Sequence, residues 1–506
     1  MPKHYLISFE PPYLETMPGI EMTETISPDY LVIGAGAMGM AFVDTLISDK
    51  EATVAIVDRY SRPGGHWTLA YPFVTLHQPS DVYGVNSRQL GDEKIDRVGY
   101  NKGLAEVATG DEIVAYYTKV LNTTLLPSGR VTYYPLHNYT GDGEFQSIAT
   151  GKMFSVGPNT SIVDSTYVKV TVPSMSPPLY EVSENANLVT PNALATLKRP
   201  YGAYTIIGAG KTAVDSCSWL LAQNIDPEDI SWIMPRDSWF IERAILQPPE
   251  ATPNPEQLLE EKTDAIMGSK TSQEMFHRME QLGHAHRLDK RIEPTMFRHA
   301  IVTKAEFEEV KKVKNIIRQG RVKRVDPDKV TLEKGTYTPV PDTLFIDCTA
   351  PGLGNVPPVP VFNGRNITIQ NIKFFQPTFS AALIGHVEAS FDDENLKNTL
   401  CDPFPYTREP ADYPRTLLAS MKNRLKWMEE PKVSEWCAKS RLDFPVMGPP
   451  PRDPEKAAAF NASIEQQIRG LCDHLEQMAK NDAEQQIGGL CDHFERMAKN
   501  DAASVA

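Results

Sequence analysis

Short apolar runs alternate with longer stretches whose apolar positions recur at helical intervals, and the alternation predicts two copies of the same unit. In the first, Tyr30–Ile33 reads as a buried strand. Met38, Phe42, Val43, Leu46 and Ile47 then form one face of a helix, and Thr53–Val57 is a second apolar run. In the second, Tyr204–Ile207 is the strand, Val214, Cys217, Leu220 and Leu221 mark the helix face, and Ile230–Met234 is the next strand. Strand, helix and strand in that order form a parallel βαβ unit, so the fold class is α/β. Between and after the units, residues 110–121 have helical spacing with an acidic first turn. Val131–Tyr134, Met153–Val156 and Tyr167–Val172 read as strands of an antiparallel sheet on the first unit. A polar helical insertion occupies about 250–315, Val322–Val325 and Lys329–Glu333 form a hairpin, and Thr343–Asp347 is an apolar strand. A helix opens at Phe375–Ala382.

Both strand-to-helix turns are glycine-rich. The first carries Gly34, Gly36 and Gly39 in G-x-G-x-x-G spacing; the second carries Gly208 and Gly210, with Ala213 at the third small position. Such a turn brings bare backbone up to a pyrophosphate, and the helix start offers N–H groups and partial positive charge. Asp58, 24 residues after Gly34, ends the following strand and is placed to accept hydrogen bonds from a ribose. The second unit ends instead in Pro235-Arg236-Asp237, where Arg236 suits a 2′-phosphate and hence NADPH. After Asp58 come Gly64, Gly65, His66 and Trp67, which place flexible backbone and a flat indole beside the first nucleotide or else make a turn before a core tryptophan.

Composition narrows the class. Hydrophobic content of 41% and charged content of 23% in 506 residues indicate a globular chain of two or three domains. A net charge of −14 argues against general nucleic-acid binding. No apolar stretch reaches the length of a membrane span, and no leader is evident, so a cytoplasmic setting is expected. Six scattered cysteines without C-x-x-C exclude a zinc ribbon and a redox dithiol. His284 and His286 lack a third ligand pattern, so no metal is expected. Between Arg278 and Lys304 six basic residues face three acids, which fits an anionic ligand or a solvated helix face.

Two glycine fingerprints, the first followed by Gly-Gly-x-Trp, resemble the two-dinucleotide flavoproteins. Within them the chain is most similar to the NADPH-dependent flavin monooxygenases of flavin-containing, Baeyer–Villiger and N-hydroxylating type, over about 29–400. It departs from them at 191–200, where their F-x-G-x-x-x-H fingerprint is absent. The resemblance implies two Rossmann-like domains with antiparallel β and helical insertions. It divides the chain into an arm (1–28), an FAD domain (29–175), an NADPH domain (176–342), a return to the FAD domain (343–450) and a tail (451–506). It implies that Gly34, Gly36, Gly39, Asp58, Gly65 and Trp67 contact FAD, that Gln78 faces the reactive flavin edge, and that the helix start at Thr378 faces the pyrimidine oxygen. Gly208, Gly210, Lys211, Thr212 and Arg236 would hold NADPH. The implied activity is oxygenation of a small organic substrate by molecular oxygen through a C4a-peroxyflavin. An NADPH oxidoreductase that oxygenates nothing and a non-enzymatic nucleotide-binding module remain the alternatives. In the tail, Glu465–Ala483 is nearly repeated at 484–502. Ile464, Ile468, Leu471, Leu475 and Met478 form a stripe that either docks on its own body or pairs with a second copy of the chain as a homo-oligomer.

Overall fold

A computed structural model describes residues 23–248, 251–443 and 454–504, with side chains of the last helix described over 459–487. Two parallel sheets organise it. The first runs in the order Phe362–Asn363, Asn366–Thr368, Ser161–Asp164, Tyr30–Ile33, Val54–Asp58, Val131–Pro135, and the second in the order Asn187–Val189, Thr343–Asp347, Ala203–Ile207, Ile230–Ile233, Asn315–Ile317. All pairings are parallel except the edge hairpin Phe362–Asn363/Asn366–Thr368. The central strands are apolar on both faces because helices cover them, as in a doubly wound sheet: Leu31, Val32, Ile56, Ile206, Ile233 and Phe345 are fully buried. The fold is thus α/β with two Rossmann-like domains.

In each sheet the predicted helix follows the glycine turn: Ala37–Asp49 after the first, Lys211–Ala222 after the second. The helix Pro377–Ser390 lies across Ala37–Asp49, and the crossing is close at Gly385, where a Cβ would stand 2.8 Å from the Phe42 carbonyl oxygen. The predicted helix at 110–121 is Gly110–Val120, started by a reciprocal cap between Thr109 and Glu112.

The tertiary structure corrects several expectations. Tyr167–Val172 is not a strand: Lys169 takes φ 51° and its N–H bonds back to the Thr166 carbonyl, which breaks the extended run. The strand there is Ser161–Asp164, which pairs with Tyr30–Ile33. Val131–Pro135 joins the parallel sheet rather than the separate sheet of Glu24–Ile26, Met153–Val156, Glu144–Ser147 and His137–Gly141, which is mixed: Glu24–Ile26 pairs parallel with Met153–Val156 and the other pairs are antiparallel. The end of the expected arm is therefore a strand, and its first 22 residues lie outside the described ones. Thr343–Asp347 sits in the second sheet, paired with Ala203–Ile207, so the chain returns to the first sheet after residue 347 and not at 343. The insertion is not wholly helical. It holds Pro255–Met267 and Ser272–Gln281 together with the strands Ala285–His286 and Ile301–Val302, which pair with Phe240–Glu242 just before it.

Within the tail helix Pro454–Ser504, the first repeat docks on its own body. Leu475 and Met478 are buried against Trp239, Phe276 and Met275. Asp482 accepts from the Ser272 N–H, and Asn481 donates to the Lys270 carbonyl. The second repeat begins exposed, with Ile487 at 62%; its remaining side chains, including Cys491 and His493, lie outside the described residues. Among the described residues no helix is long and apolar enough to cross a membrane.

Candidate active site

The two glycine turns are built alike. Gly34 has φ 96° and Gly208 φ 129°, left-handed conformations that side-chain-bearing residues rarely adopt. Each helix then begins at a glycine, Gly36 or Gly210, with no side chain capping its first N–H groups. Elsewhere the chain does cap helices: Thr109, Thr271, Thr303 and Asp393 each accept from a first-turn N–H. The two bare starts leave donors for an anion. A Cβ on Gly210 would meet no atom within 4 Å. A Cβ on Gly39 would stand 2.1 Å from the Gly34 carbonyl oxygen, which shows how tightly that helix lies on its turn. Gly65 folds back over the first turn, its Cα 3.6 Å from where a Cβ of Gly36 would be. Trp67 follows, half-buried, and its indole N–H donates to the Tyr83 hydroxyl at 2.9 Å.

Asp58 is 5% exposed, and its carboxylate accepts from the Ala35 N–H at 2.5 Å and the Tyr60 N–H at 2.7 Å. Burial raises its pKa against those two bonds. The acid that the spacing assigned to a ribose therefore also ties the glycine turn to the loop after its own strand. Thr378, the second residue of Pro377–Ser390, is fully buried, and its hydroxyl has no partner among the described residues. Bare helix starts, the open space at Gly210 and this unpartnered hydroxyl fit two dinucleotides, one at each turn.

Not every predicted side chain reaches the cleft between the domains. Gln78 is half-buried and donates to the Val82 carbonyl at 3.3 Å, closing a local turn. Its neighbour His77 makes the contact with the second domain instead: its carbonyl accepts from Arg243 Nε at 3.2 Å, and its ring lies beside the His299 backbone. Lys211 is turned inward. Its ammonium pairs with Asp215 and, at 2.7 Å, with Glu306, beside Arg243 and the Tyr71 hydroxyl, which donates to Asp215 at 2.5 Å. The network holds two cations and two carboxylates, and Tyr71 and Arg243 carry it across the domain boundary. Thr212 is half-buried at the same helix start. Sequence reasoning missed this cluster because, apart from the Lys211–Asp215 helical pair, its members come from distant segments, Tyr71 standing 144 residues from Asp215 and Glu306 95 from Lys211.

Arg236 is exposed at the end of Ile230–Ile233 and makes no ion pair with a described residue. Its neighbour Asp237 is bound by Arg318 through two bonds of 2.8 and 3.0 Å. Arg298 lies close by. Partial burial first, then the cations of Arg408, Arg236 and Arg321, hold its guanidinium below the ordinary range. The local excess of positive charge is thereby resolved: Arg287 pairs with Glu280 and Glu293, and Arg291 with Asp289, while Arg298 joins Arg236 without an acid. His284 and His286 bond separately to Glu261 and Glu242, and no cluster that would hold a metal occurs among the described residues.

Two histidines of the first-domain loop are kept neutral. Burial lowers His66 to about 4, and burial together with Lys211 and Arg243 lowers His77 to about 3. Both values lie below that of the unfolded chain, so on acidification the unfolded state takes up protons first. Stability is expected to be constant above the unfolded histidine pKa of about 6.5 and to fall progressively toward pH 4. Thermal midpoints measured across that interval check this, and His66→Gln should flatten the slope.

These observations define a two-Rossmann α/β protein with a nucleotide-type turn in each domain. The chain belongs to the family of the uncharacterized proteins Rv2000 of Mycobacterium tuberculosis (strain ATCC 25618 / H37Rv) and Mb2023 of Mycobacterium bovis. It is 44% identical to each over 422 residues, 83% of this chain and 78% of theirs. No protein-family model matches the chain. Among solved structures it is similar to a flavin-containing monooxygenase from Stenotrophomonas maltophilia, with TM-score 0.42, 12% identity, and 72% and 98% of the two chains covered. It is likewise similar to cyclohexanone monooxygenase from Rhodococcus sp. Phi1 bound to NADP+, with TM-score 0.45, 14% identity, and 72% and 84% covered.

Proposed function

We propose that the protein is an FAD-dependent, NADPH-consuming monooxygenase that oxygenates a small organic substrate, by N-hydroxylation or a related reaction, with molecular oxygen as co-substrate. The observation that carries this reading is the pair of uncapped glycine-turn helices, joined across the domain boundary by His77, Tyr71 and Arg243. FAD belongs at the first turn, on Gly34, Gly36, Gly39, Gly65 and Trp67, with Asp58 beneath it. NADPH belongs at the second, on Gly208, Gly210 and the backbone of Lys211 and Thr212. When bound, the flavin accepts hydride from the nicotinamide and supplies the redox chemistry with oxygen.

The chain's own residues bind, orient and exclude water. Arg236 and Arg298 present an unneutralised pair of guanidiniums to the 2′-phosphate, which NADH lacks. The buried Lys211–Asp215–Glu306–Arg243 network fixes the second helix start against the first-domain loop, so the two nucleotides approach in one geometry. The start of Pro377–Ser390, with Thr378, directs partial positive charge toward the flavin pyrimidine.

The test is anaerobic reduction of the FAD-loaded protein by NADPH, followed by admission of oxygen with candidate amines and ketones. Bleaching of the flavin and oxygenated product in proportion to NADPH consumed support the reading. Reduction with hydrogen peroxide as the sole product makes the protein an oxidoreductase without substrate oxygenation, and failure to bind or reduce flavin rejects it.

A further inference from the structure

His299 stands where the two domains touch, and four observations set it apart. Its backbone has φ 55°, a left-handed conformation uncommon for a residue with a side chain. Phe375, reached from the other domain two residues before the helix Pro377–Ser390, has φ 59°. The two rings meet edge to face with centroids 3.6 Å apart. The imidazole is 9% exposed; its Nε2 bonds to Thr407 Oγ1 at 2.7 Å, and its Nδ1 has no partner among the described residues. Three further buried polar atoms without partners among the described residues belong to nearby segments: Asn371 Oδ1, Thr378 Oγ1 and Tyr406 OH.

A buried nitrogen without a partner costs free energy, and a left-handed non-glycine residue costs more. Both persist here because the surroundings impose them. The His77 ring lies beside the His299 backbone, Thr407 holds the far nitrogen, and Ser420 Oγ accepts from the Phe374 N–H on the opposing segment. Burial and the neighbouring His77 ring keep the His299 imidazole neutral, so Nδ1 is available for one hydrogen bond without bringing a charge into the cleft. Lys211 at the second helix start acts electrostatically on His77 and His77 on His299, whose ring meets Phe375 just before the helix Pro377–Ser390.

We propose that His299 is a ligand-contacting residue at the domain boundary, its Nδ1 making a hydrogen bond to the ring edge of a bound nucleotide. His77 acts as the positioning residue that fixes its backbone. The proposal rests on the flavin reading above, and it identifies a histidine pair that the glycine fingerprints do not specify.

The experiment uses the full chain labelled with 15N-histidine, observed before and after addition of FAD, then NADP+, with His299→Asn to assign the resonance. Asparagine tolerates the left-handed backbone better than most residues, so the variant keeps the local conformation. The expected result is a shift of the His299 Nδ1 resonance on ligand addition. In His299→Asn, product formed per NADPH should fall about 10-fold or more, and affinity for the nucleotide whose addition moves the resonance should fall about 3-fold or more. His77→Asn should reduce the ligand-induced shift and turnover while the protein still binds FAD. Binding of both FAD and NADP+ without any shift at His299, or full coupling in His299→Asn, overturns this proposal and leaves the flavin reading standing. Absence of FAD binding overturns both. Should His299→Asn fail to fold, Thr407→Val, which removes only the Nε2 partner, must lower coupling and alter the resonance or the proposal falls.

Discussion

Gly39→Ala is expected to destabilise the protein by about 3 kcal/mol and to abolish FAD retention, whereas Gly210→Ala leaves the fold intact and weakens NADPH alone. The added methyl at 39 would lie 2.1 Å from the Gly34 carbonyl oxygen and 2.7 Å from Ser165 Oγ. Neither neighbour gives way cheaply. The carbonyl is part of the turn, and the Ser165 hydroxyl bonds to the carbonyls of Ile33 and Gly34. The helix Ala37–Asp49 must therefore move off its strand, at the upper end of overpacking costs. At Gly210 the same methyl meets no protein atom within 4 Å, and its φ of −92° suits alanine. Only a pyrophosphate close to the backbone would contact it, raising the NADPH dissociation constant by about 10-fold or more. Thermal melts and flavin absorbance measure the first variant, and an NADPH titration with unchanged melting measures the second. An unchanged melt for Gly39→Ala would mean that the first turn is looser than these distances require.

The double change Arg236→Ala/Arg298→Ala is expected to raise the NADPH dissociation constant about 100-fold while leaving NADH within about 3-fold, erasing the preference between them. The reason is electrostatic. Arg236 has no acid partner among the described residues, its adjacent Asp237 is bound to Arg318, and Arg298 feels the positive charges of Arg408, Arg236 and Arg321. Such a cluster is repulsive until an anion enters, so the phosphate gains from each cation. Because these groups are partly exposed, the preference should also shrink with added salt. Titration of both nucleotides at two ionic strengths decides it, and equal loss of NADH and NADPH affinity would place the phosphate elsewhere.

Several elements were legible along the chain because their signals are local. The turn at Gly34–Gly39 and the turn at Gly208–Ala213 each lie between an apolar strand and an amphipathic helix, and both formed as read. The hairpin Val322–Val325/Val330–Leu332 and the helix Gly110–Val120 formed for the same reason. Tyr167–Val172 has ideal β composition, yet Lys169 turns left-handed, while the Gly354 N–H donates to the Val168 carbonyl and the Thr171 N–H to the Gly352 carbonyl. Thr343–Asp347 reads as a strand, and its sheet depends on a partner, Ala203–Ile207, some 140 residues earlier. Gln78 was the polar residue favoured next to the flavin, but the adjacent His77 is the one that reaches the second domain.

By itself, then, the order of amino acids determined the two βαβ units, the bare backbone at their turns and the cation that ends the second, since each depends on residues within about one helix of one another. Only the tertiary structure decided that Lys211 is spent in a buried network, that the first tail repeat docks on its own chain, and that His77, His299 and Phe375 meet. Those contacts join positions separated by tens to hundreds of residues. Neither hydropathy period nor motif spacing encodes which distant surfaces become neighbours once the two cores are packed.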